Sequence, residues 1–266
     1  MDLQVEFHLD SVYLISSSRK GEEGTTRRLV DDLAAVCSAN GALDFFHTTL
    51  PSKEGLLDFC RDLSRTIDSG SKPIIHFDMH GSADDGLEIG ATGELVDWLT
   101  LIECLRPINV KLCNGLFVVM TACHALNIIR HIDIKKPTPF LCLLAPEGEV
   151  QIGNIEDTVS RFYNKLFTQG SMTLACEEVK GIFTYFHSVD FLYRIMHGYA
   201  LENSGRTGKK IKEDQLSSVV SAMNRIPTPE DLKKLRRQIK ELSSPAVIFD
   251  QYVETFLMSE SYGIEI

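Results

Sequence analysis

The sequence predicts an α/β fold: a mostly parallel central sheet covered by helices on both faces, followed by a small helical C-terminal extension. Three observations carry this expectation. Short runs rich in Ile, Val, Leu and Phe alternate with amphipathic segments of about 10 to 15 residues, the pattern of strand–helix–strand units. Two of the runs, residues 74–81 and 116–123, are apolar nearly throughout, as strands buried on both faces are, and each stops at a reactive side chain. Beyond about residue 200 strand-like runs cease and only helical spacing remains.

Taken in order, Leu3, Val5, Phe7 and Leu9 alternate with Gln4, Glu6 and His8, which predicts a half-exposed edge strand. Residues 12–15 read as the first buried strand, and the polar, glycine-bearing stretch 16–26 as a loop at its end. Over 27–39 the spacing of Leu29, Val30, Leu33, Val36 and Cys37 is helical, and Asn40-Gly41 offers a left-handed stop. Residues 45–49 form the second strand. Pro51-Ser52 opens a helix carrying Leu56, Leu57, Phe59, Cys60, Leu63 and Ile67, ended by Ser69-Gly70. After the strand that begins at Ile74, the acidic segment 84–90 reads as a short hairpin and 94–105 as a helix. Asn114-Gly115 turns into the next strand, 124–129 starts a helix, 139–145 is a further strand and 155–167 an amphipathic helix. Residues 203–210 read as a polar linker that lacks the spacing of a phosphate-binding loop. Thr228-Pro229-Glu230-Asp231 resembles a helix cap with proline in the first turn, and 251–258 closes the chain as a helix. The organisation expected is a domain over 1–202, then a linker and helical extension over 203–266.

At 266 residues the chain is long for one domain and short for two, and 44% apolar composition supports a sizeable core. A net charge of −10 argues against nucleic acid as the main partner. The imbalance is uneven. Residues 205–240 hold ten Lys or Arg against four Asp or Glu, so this stretch suits the acidic body of the chain or an acidic partner. Seven scattered cysteines without a Cys-x-x-Cys pair or a zinc spacing point to a reducing cytosol. Most sit in apolar patterns and read as small buried hydrophobes. The Met1-Asp2 start lacks a basic-then-apolar segment, and no run of 18 apolar residues occurs, so the expectation is a cytoplasmic protein without membrane insertion.

The chemistry concentrates at the two apolar runs. Their carboxyl ends are where an open α/β sheet binds ligands, and there His80 and Cys123 would emerge side by side if the strands are neighbours. A thiol needs such a neighbour, because the thiolate is the nucleophile and an imidazole takes its proton. His76, Asp78 and His80 recur at every second position and so share one face of a strand, where each needs a partner. Three readings follow. They are satisfied core side chains; or part of a metal site, with His124, His131 and Asp133 brought near; or His80 is a general base and Gly81 admits close backbone approach. In the last reading, the backbone N–H groups of Gly81 and Cys123 face the oxygen of a scissile carbonyl. The helix expected after Cys123 favours its thiolate.

These residues resemble a known family. Ile75-His-Phe-Asp-Met-His-Gly81 is similar to the histidine motif of caspase-like peptidases of the CHAT type, and the apolar run ending in Ala122-Cys123 to their cysteine motif. The separation of 43 positions between His80 and Cys123 and the Pro107-Ile-Asn109 segment suit the family order. Residues 140–150, then Phe162-Tyr163 and Leu166, resemble the next strand and helix, so the likeness covers about residues 70–200. It implies a caspase-like α/β/α sandwich over 1–202 in which His80 is the base and Cys123 the nucleophile of peptide-bond cleavage, with no metal and no cofactor. One departure is His124-Ala125 after the cysteine, where many relatives have a small residue or glycine.

Asp78, His76 or a backbone carbonyl is the expected orienter of His80. For the substrate pocket, Glu147 and Glu149 after the strand ending at Ala145 would receive Arg or Lys, and Arg19 in the first loop would receive Asp; the acidic pocket is preferred. Arg206, Lys209 and Lys210 are then candidate self-cleavage sites within 203–210. The resemblance implies limited proteolysis of a protein substrate, in bacterial relatives often in antiviral defence or regulated cell death and sometimes beside a pore-forming substrate. The competing classes are a catalytically silent caspase-like binding module and, third, a metallohydrolase.

Overall fold

The computed structural model describes residues 9–39, 41, 43–223 and 225–258, so the alternating segment around Leu3 to Phe7 and the stop at Asn40 lie outside the described residues. Two compact units result. The first takes the chain up to Asp133 and Pro137–Ser188, the second Ile134–Lys136 and the chain from Val189 onward.

The first unit contains β1 (Ser11–Ser17), α1 (Glu23–Ala39), β2 (Asp44–Thr49), α2 (Lys53–Thr66), β3 (Pro73–Ser82), β4 (Gly86–Ile89), β5 (Glu94–Val96) and α3 (Trp98–Lys111). These are followed by β6 (Phe117–Met120), a 3₁₀ helix (Ala125–His131), β7 (Cys142–Pro146), α4 (Ile152–Gln169), α5 (Met172–Glu178) and β8 (Phe183–His187). Among the described residues the sheet runs β2-β1-β3-β6-β7-β8, all parallel except β8. The antiparallel strands β4 and β5 extend it from the end of β3. The expected α/β class with a mostly parallel sheet is therefore observed.

Both faces are covered. Val12, Leu14, Ile74, Phe117, Val119 and Leu144 form one cluster with Leu29 and Leu33 of α1, Val159, Phe162 and Leu166 of α4 and Ala175 of α5. Alternation turns Ile15, Ile75, Phe77 and Val118 to the other face, where they are fully buried. Tyr13 there meets Phe59 of α2 edge-on, with ring centroids 6.4 Å apart, and α2 packs on α3.

Local chemistry explains the boundaries. The Ser52 hydroxyl accepts the Gly55 N–H and Asp97 accepts the Thr100 N–H, which start α2 and α3. Segment 94–96, expected as the beginning of a helix, is instead β5, because pairing with β4 satisfies its backbone and Asp97 supplies the cap. α3 continues through Pro107 to Lys111. The buried Asn109 then accepts the Leu116 N–H at 3.0 Å and donates to the Thr138 carbonyl at 2.8 Å, which anchors the entry into β6. The left-handed Cys113 and Asn114 make the turn. α5 and β8 carry no signal that the sequence pattern singled out.

The second unit is helical: α6 (Ser188–Glu202), α7 (Gly205–Ser221), α8 (Pro229–Leu242) and α9 (Pro245–Leu257). The capping box at Thr228 and Asp231 is present, with Pro229 in the first turn. Segment 203–210, expected as a linker, is helical from Gly205, so Arg206, Lys209 and Lys210 stand on α7. Cleavage there requires that helix to open. The last helix begins at Pro245, earlier than its spacing indicates, because Ser244 caps it by accepting the Val247 N–H. Among the described residues, no helix is long and apolar enough to cross a membrane.

Candidate active site

Four strand ends build the site. β3 and β6 are adjacent and parallel, with Phe77 opposite Met120 and the Thr121 N–H donating to the Phe77 carbonyl at 3.0 Å. Beyond this pairing β3 carries His80, opposite Glu88 of β4, and the chain leaving β6 carries Cys123; both line the same cavity. The loop after β1 supplies Glu22 and the loop after β7 supplies Val150; all four residues line one cavity of about 80 Å³.

The shared face of His76, Asp78 and His80 is the one covered by α1 and α4, and each side chain finds a partner there. His76 is fully buried, with Nδ1 2.9 Å from the Tyr163 hydroxyl of α4 and Nε2 3.4 Å from the Thr121 hydroxyl. Burial pushes its pKa down to about 4, against the opposing pull of the Asp78 carboxylate. Asp78 accepts from Thr26 of α1 at 2.6 Å and from Thr121 at 3.0 Å. Neither bonds His80. Its Nε2 lies 2.6 Å from Oε2 of Glu22, immediately before α1, and this hydrogen bond holds the Glu22 carboxyl below the usual carboxylate range. Glu22 was missed because residues 16–26 read as featureless polar loop. The available signal was an acidic residue placed just ahead of a helix.

Because an ionised carboxylate only accepts, Nε2 must carry the proton of a neutral His80. Nδ1 then keeps the lone pair. Cys123 is partly exposed, and its sulfur accepts the Val150 N–H at 3.5 Å. A second long contact joins the thiol to the Val150 carbonyl at 3.9 Å. Gly81 packs against the Cys123 backbone so closely that a Cβ there would lie 2.5 Å from the Cys123 carbonyl oxygen and 2.9 Å from Ala122 Cβ. The helix after the cysteine differs from expectation: it is a 3₁₀ helix starting at Ala125, and His124 ahead of it is left-handed at φ 60°. The His124 N–H donates to the Gly148 carbonyl at 3.0 Å, which ties the cysteine turn to the loop after β7.

That loop also walls a second cavity of about 460 Å³, lined by Glu147, Glu149, Val150 and Ile155 with residues 181–184. Val150 and Ile155 belong to both cavities, so the two carboxylates sit next to the thiol's own pocket. The Thr184 hydroxyl donates to Glu147 at 2.9 Å and orients it. Arg19 lines neither cavity; its guanidinium holds both oxygens of Glu88, at 2.7 and 2.5 Å. Among the described residues, no group of three His, Cys, Asp or Glu side chains is placed to hold a metal ion, and His124, His131 and Asp133 form no such group.

No family model matches the chain, and no curated protein matches its sequence. The site itself is an α/β sheet in which a histidine paired with Glu22 on one strand and a thiol just past the neighbouring parallel strand line one cavity.

Proposed function

We propose that the chain is a caspase-like cysteine endopeptidase that cuts a protein partner by limited proteolysis, with Cys123 as nucleophile and His80 as general base. The observation that carries this is the convergence of His80 and Cys123 on one cavity, with His80 Nε2 held by Glu22 so that Nδ1 is the basic nitrogen. Nδ1 takes the thiol proton as sulfur attacks the scissile carbonyl carbon. The N–H groups of Gly81 and Cys123 receive the oxyanion, an interaction worth about 3 kcal/mol per donor. The C–N bond then breaks, the imidazolium protonates the leaving amine, and a thioester remains. Water, deprotonated by His80, cleaves that thioester and frees the thiol.

Glu147 and Glu149 make the neighbouring cavity suited to Arg or Lys before the cut, while Arg19 is neutralised by Glu88. The reading extends to a cytoplasmic enzyme acting in antiviral defence, with a pore-forming protein as one class of substrate. That extension rests on the motif resemblance alone. A second reading, a catalytically silent binding module, is favoured by the small cavity at Cys123 and the Val150 peptide unit against its sulfur.

Intact mass separates them. Wild type, Cys123→Ala and His80→Ala are incubated with peptidyl acyloxymethyl ketones bearing Arg, Lys, Leu or Asp at the first position. A single adduct on wild type that both substitutions abolish supports the peptidase. An adduct that survives Cys123→Ala sinks it, and no adduct with any warhead favours the silent module.

A further inference from the structure

The carboxylate that meets His80 sits at one end of a loop that is pinned at the other. Residues 19–22 form a tight turn in which the Glu22 N–H donates to the Arg19 carbonyl at 3.0 Å. Gly21 takes φ 93° at the third position of this turn, where a left-handed residue is needed. Arg19 and Glu22 are therefore the two ends of one closed unit.

Two anchors hold the Arg19 end. Its guanidinium donates to both oxygens of Glu88 on β4, from Nε at 2.7 Å and from a terminal nitrogen at 2.5 Å. This fork fixes a carboxylate in direction as well as in distance. Just past β4, Gly90 admits the loop backbone: a Cβ there would stand 2.4 Å from the Ser18 carbonyl carbon and 2.6 Å from the Arg19 nitrogen. β4 is itself paired with β3, and Glu88 is the residue directly opposite His80. The register that places His80 thus also places the partner of Arg19, and the turn carries that placement on to Glu22.

We propose that Arg19 and Glu88 are positioning residues that latch the 19–22 turn so that Glu22 meets Nε2 of His80. The latch has a second effect. Glu88 and His80 share one face of the β3–β4 ladder, so two carboxylates act on the imidazole, and Arg19 neutralises the one that makes no bond to it. Without Glu88, a freed Arg19 would compete with His80 for Glu22, because the two charges already attract across the turn. Side-chain exposures of 51% for Arg19 and 22% for Glu88 leave the ion pair screened by solvent, so it contributes little to stability. Its consequence lies in the geometry of the imidazole. The kinetic part of this inference rests on the peptidase reading, whereas the tautomer of His80 does not.

The test reads the ring directly. Long-range proton–nitrogen correlation spectra of the full chain, recorded at alkaline pH where the ring is neutral, report which nitrogen of His80 carries the proton, and His80→Gln identifies the signal. Wild type should show one tautomer, protonated at Nε2. Glu88→Gln and, separately, Arg19→Gln should mix the two tautomers while the urea midpoint stays nearly unchanged. In parallel, each should lower the maximal rate of Cys123 alkylation by an Arg acyloxymethyl ketone about 3- to 10-fold, as a loss of positioning does. Neither should add a further loss in a Glu22→Gln background. The reversed pair, Arg19→Glu with Glu88→Arg, should restore part of both readouts. A wild type that takes no warhead would favour the silent module and leave the spectra to decide the latch. A wild-type ring already mixed, a His80 signal that neither Glu88→Gln nor Arg19→Gln changes, or a rate loss that multiplies with that of Glu22→Gln overturns the proposal.

Discussion

Oε2 of Glu22 stands 2.6 Å from Nε2 of His80, across 58 positions of sequence, and this contact selects the tautomer of the imidazole. In the peptidase reading Glu22 is a positioning residue, which its neutral analogue tests. Glu22→Gln offers an amide that bonds either ring nitrogen state and no longer stabilises the imidazolium. The maximal rate of Cys123 alkylation by an Arg acyloxymethyl ketone should fall by about 10- to 100-fold, a part of what a general base contributes. The concentration giving half that rate should stay unchanged, and Glu22→Asp should recover part of the loss. Equal changes in both constants would assign Glu22 to binding or folding instead.

The cavity after β7 predicts a charge preference. Glu147 and Glu149 are its carboxylates, and Thr184 fixes the first. The double substitution Glu147→Gln and Glu149→Gln should cut labelling by the Arg warhead about tenfold or more relative to the Leu warhead, with labelling by Leu little changed. A ratio that does not move would remove these residues from the substrate pocket.

Close packing at Gly81 predicts a folding effect separable from chemistry. Gly81→Ala sets a Cβ 2.5 Å from the Cys123 carbonyl oxygen, where the neighbour is backbone and cannot rotate away. Overpacking of this kind costs about 1–3 kcal/mol. Urea unfolding of wild type and variant measures it. A loss under about 0.5 kcal/mol, the range of ordinary surface changes, would show that β3 and β6 separate more easily than their register implies.

Buried His76 predicts the acid side of the stability curve. Its folded pKa of about 4 lies below the ordinary histidine value of 6.5, so between these limits the unfolded chain binds a proton that the folded chain does not. The contribution is complete above pH 6.5 and is lost as pH falls from 6.5 to about 4; in total it is about 3 kcal/mol. Urea midpoints taken from pH 7.5 down to 4.5 should fall more steeply for wild type than for His76→Gln, which keeps hydrogen-bonding groups without a titrating ring. Parallel curves would mean that His76 charges in place.

Much of the α/β domain was legible along the chain, because strand and helix periodicities are local. The run of β3 announced its covered face through His76, Asp78 and His80: His76 meets α4 and Asp78 meets α1 there, and His80 meets Glu22 in the loop before α1. The capping box at Thr228 was equally readable, since all its groups lie within one turn. Less legible were β5, where pairing with β4 overrode a helical pattern, and the helix beginning at Gly205, where polarity read as linker. β8 escaped because its alternation is weak and its partner, β7, lies about 40 residues back.

The sequence by itself determined the two buried strands of the site, one that carries His80 and continues to Ser82, and one that stops at Met120, three residues before Cys123, because apolar runs of this kind are local signals of burial. Only the tertiary structure decided which residues surround them. Glu22 reaches His80, and Val150 reaches Cys123, through loops after different strands, brought together by the parallel order β1-β3-β6-β7. Periodicity reports which side of an element is buried, whereas the partner on that side is chosen by three-dimensional packing between segments with no local signature.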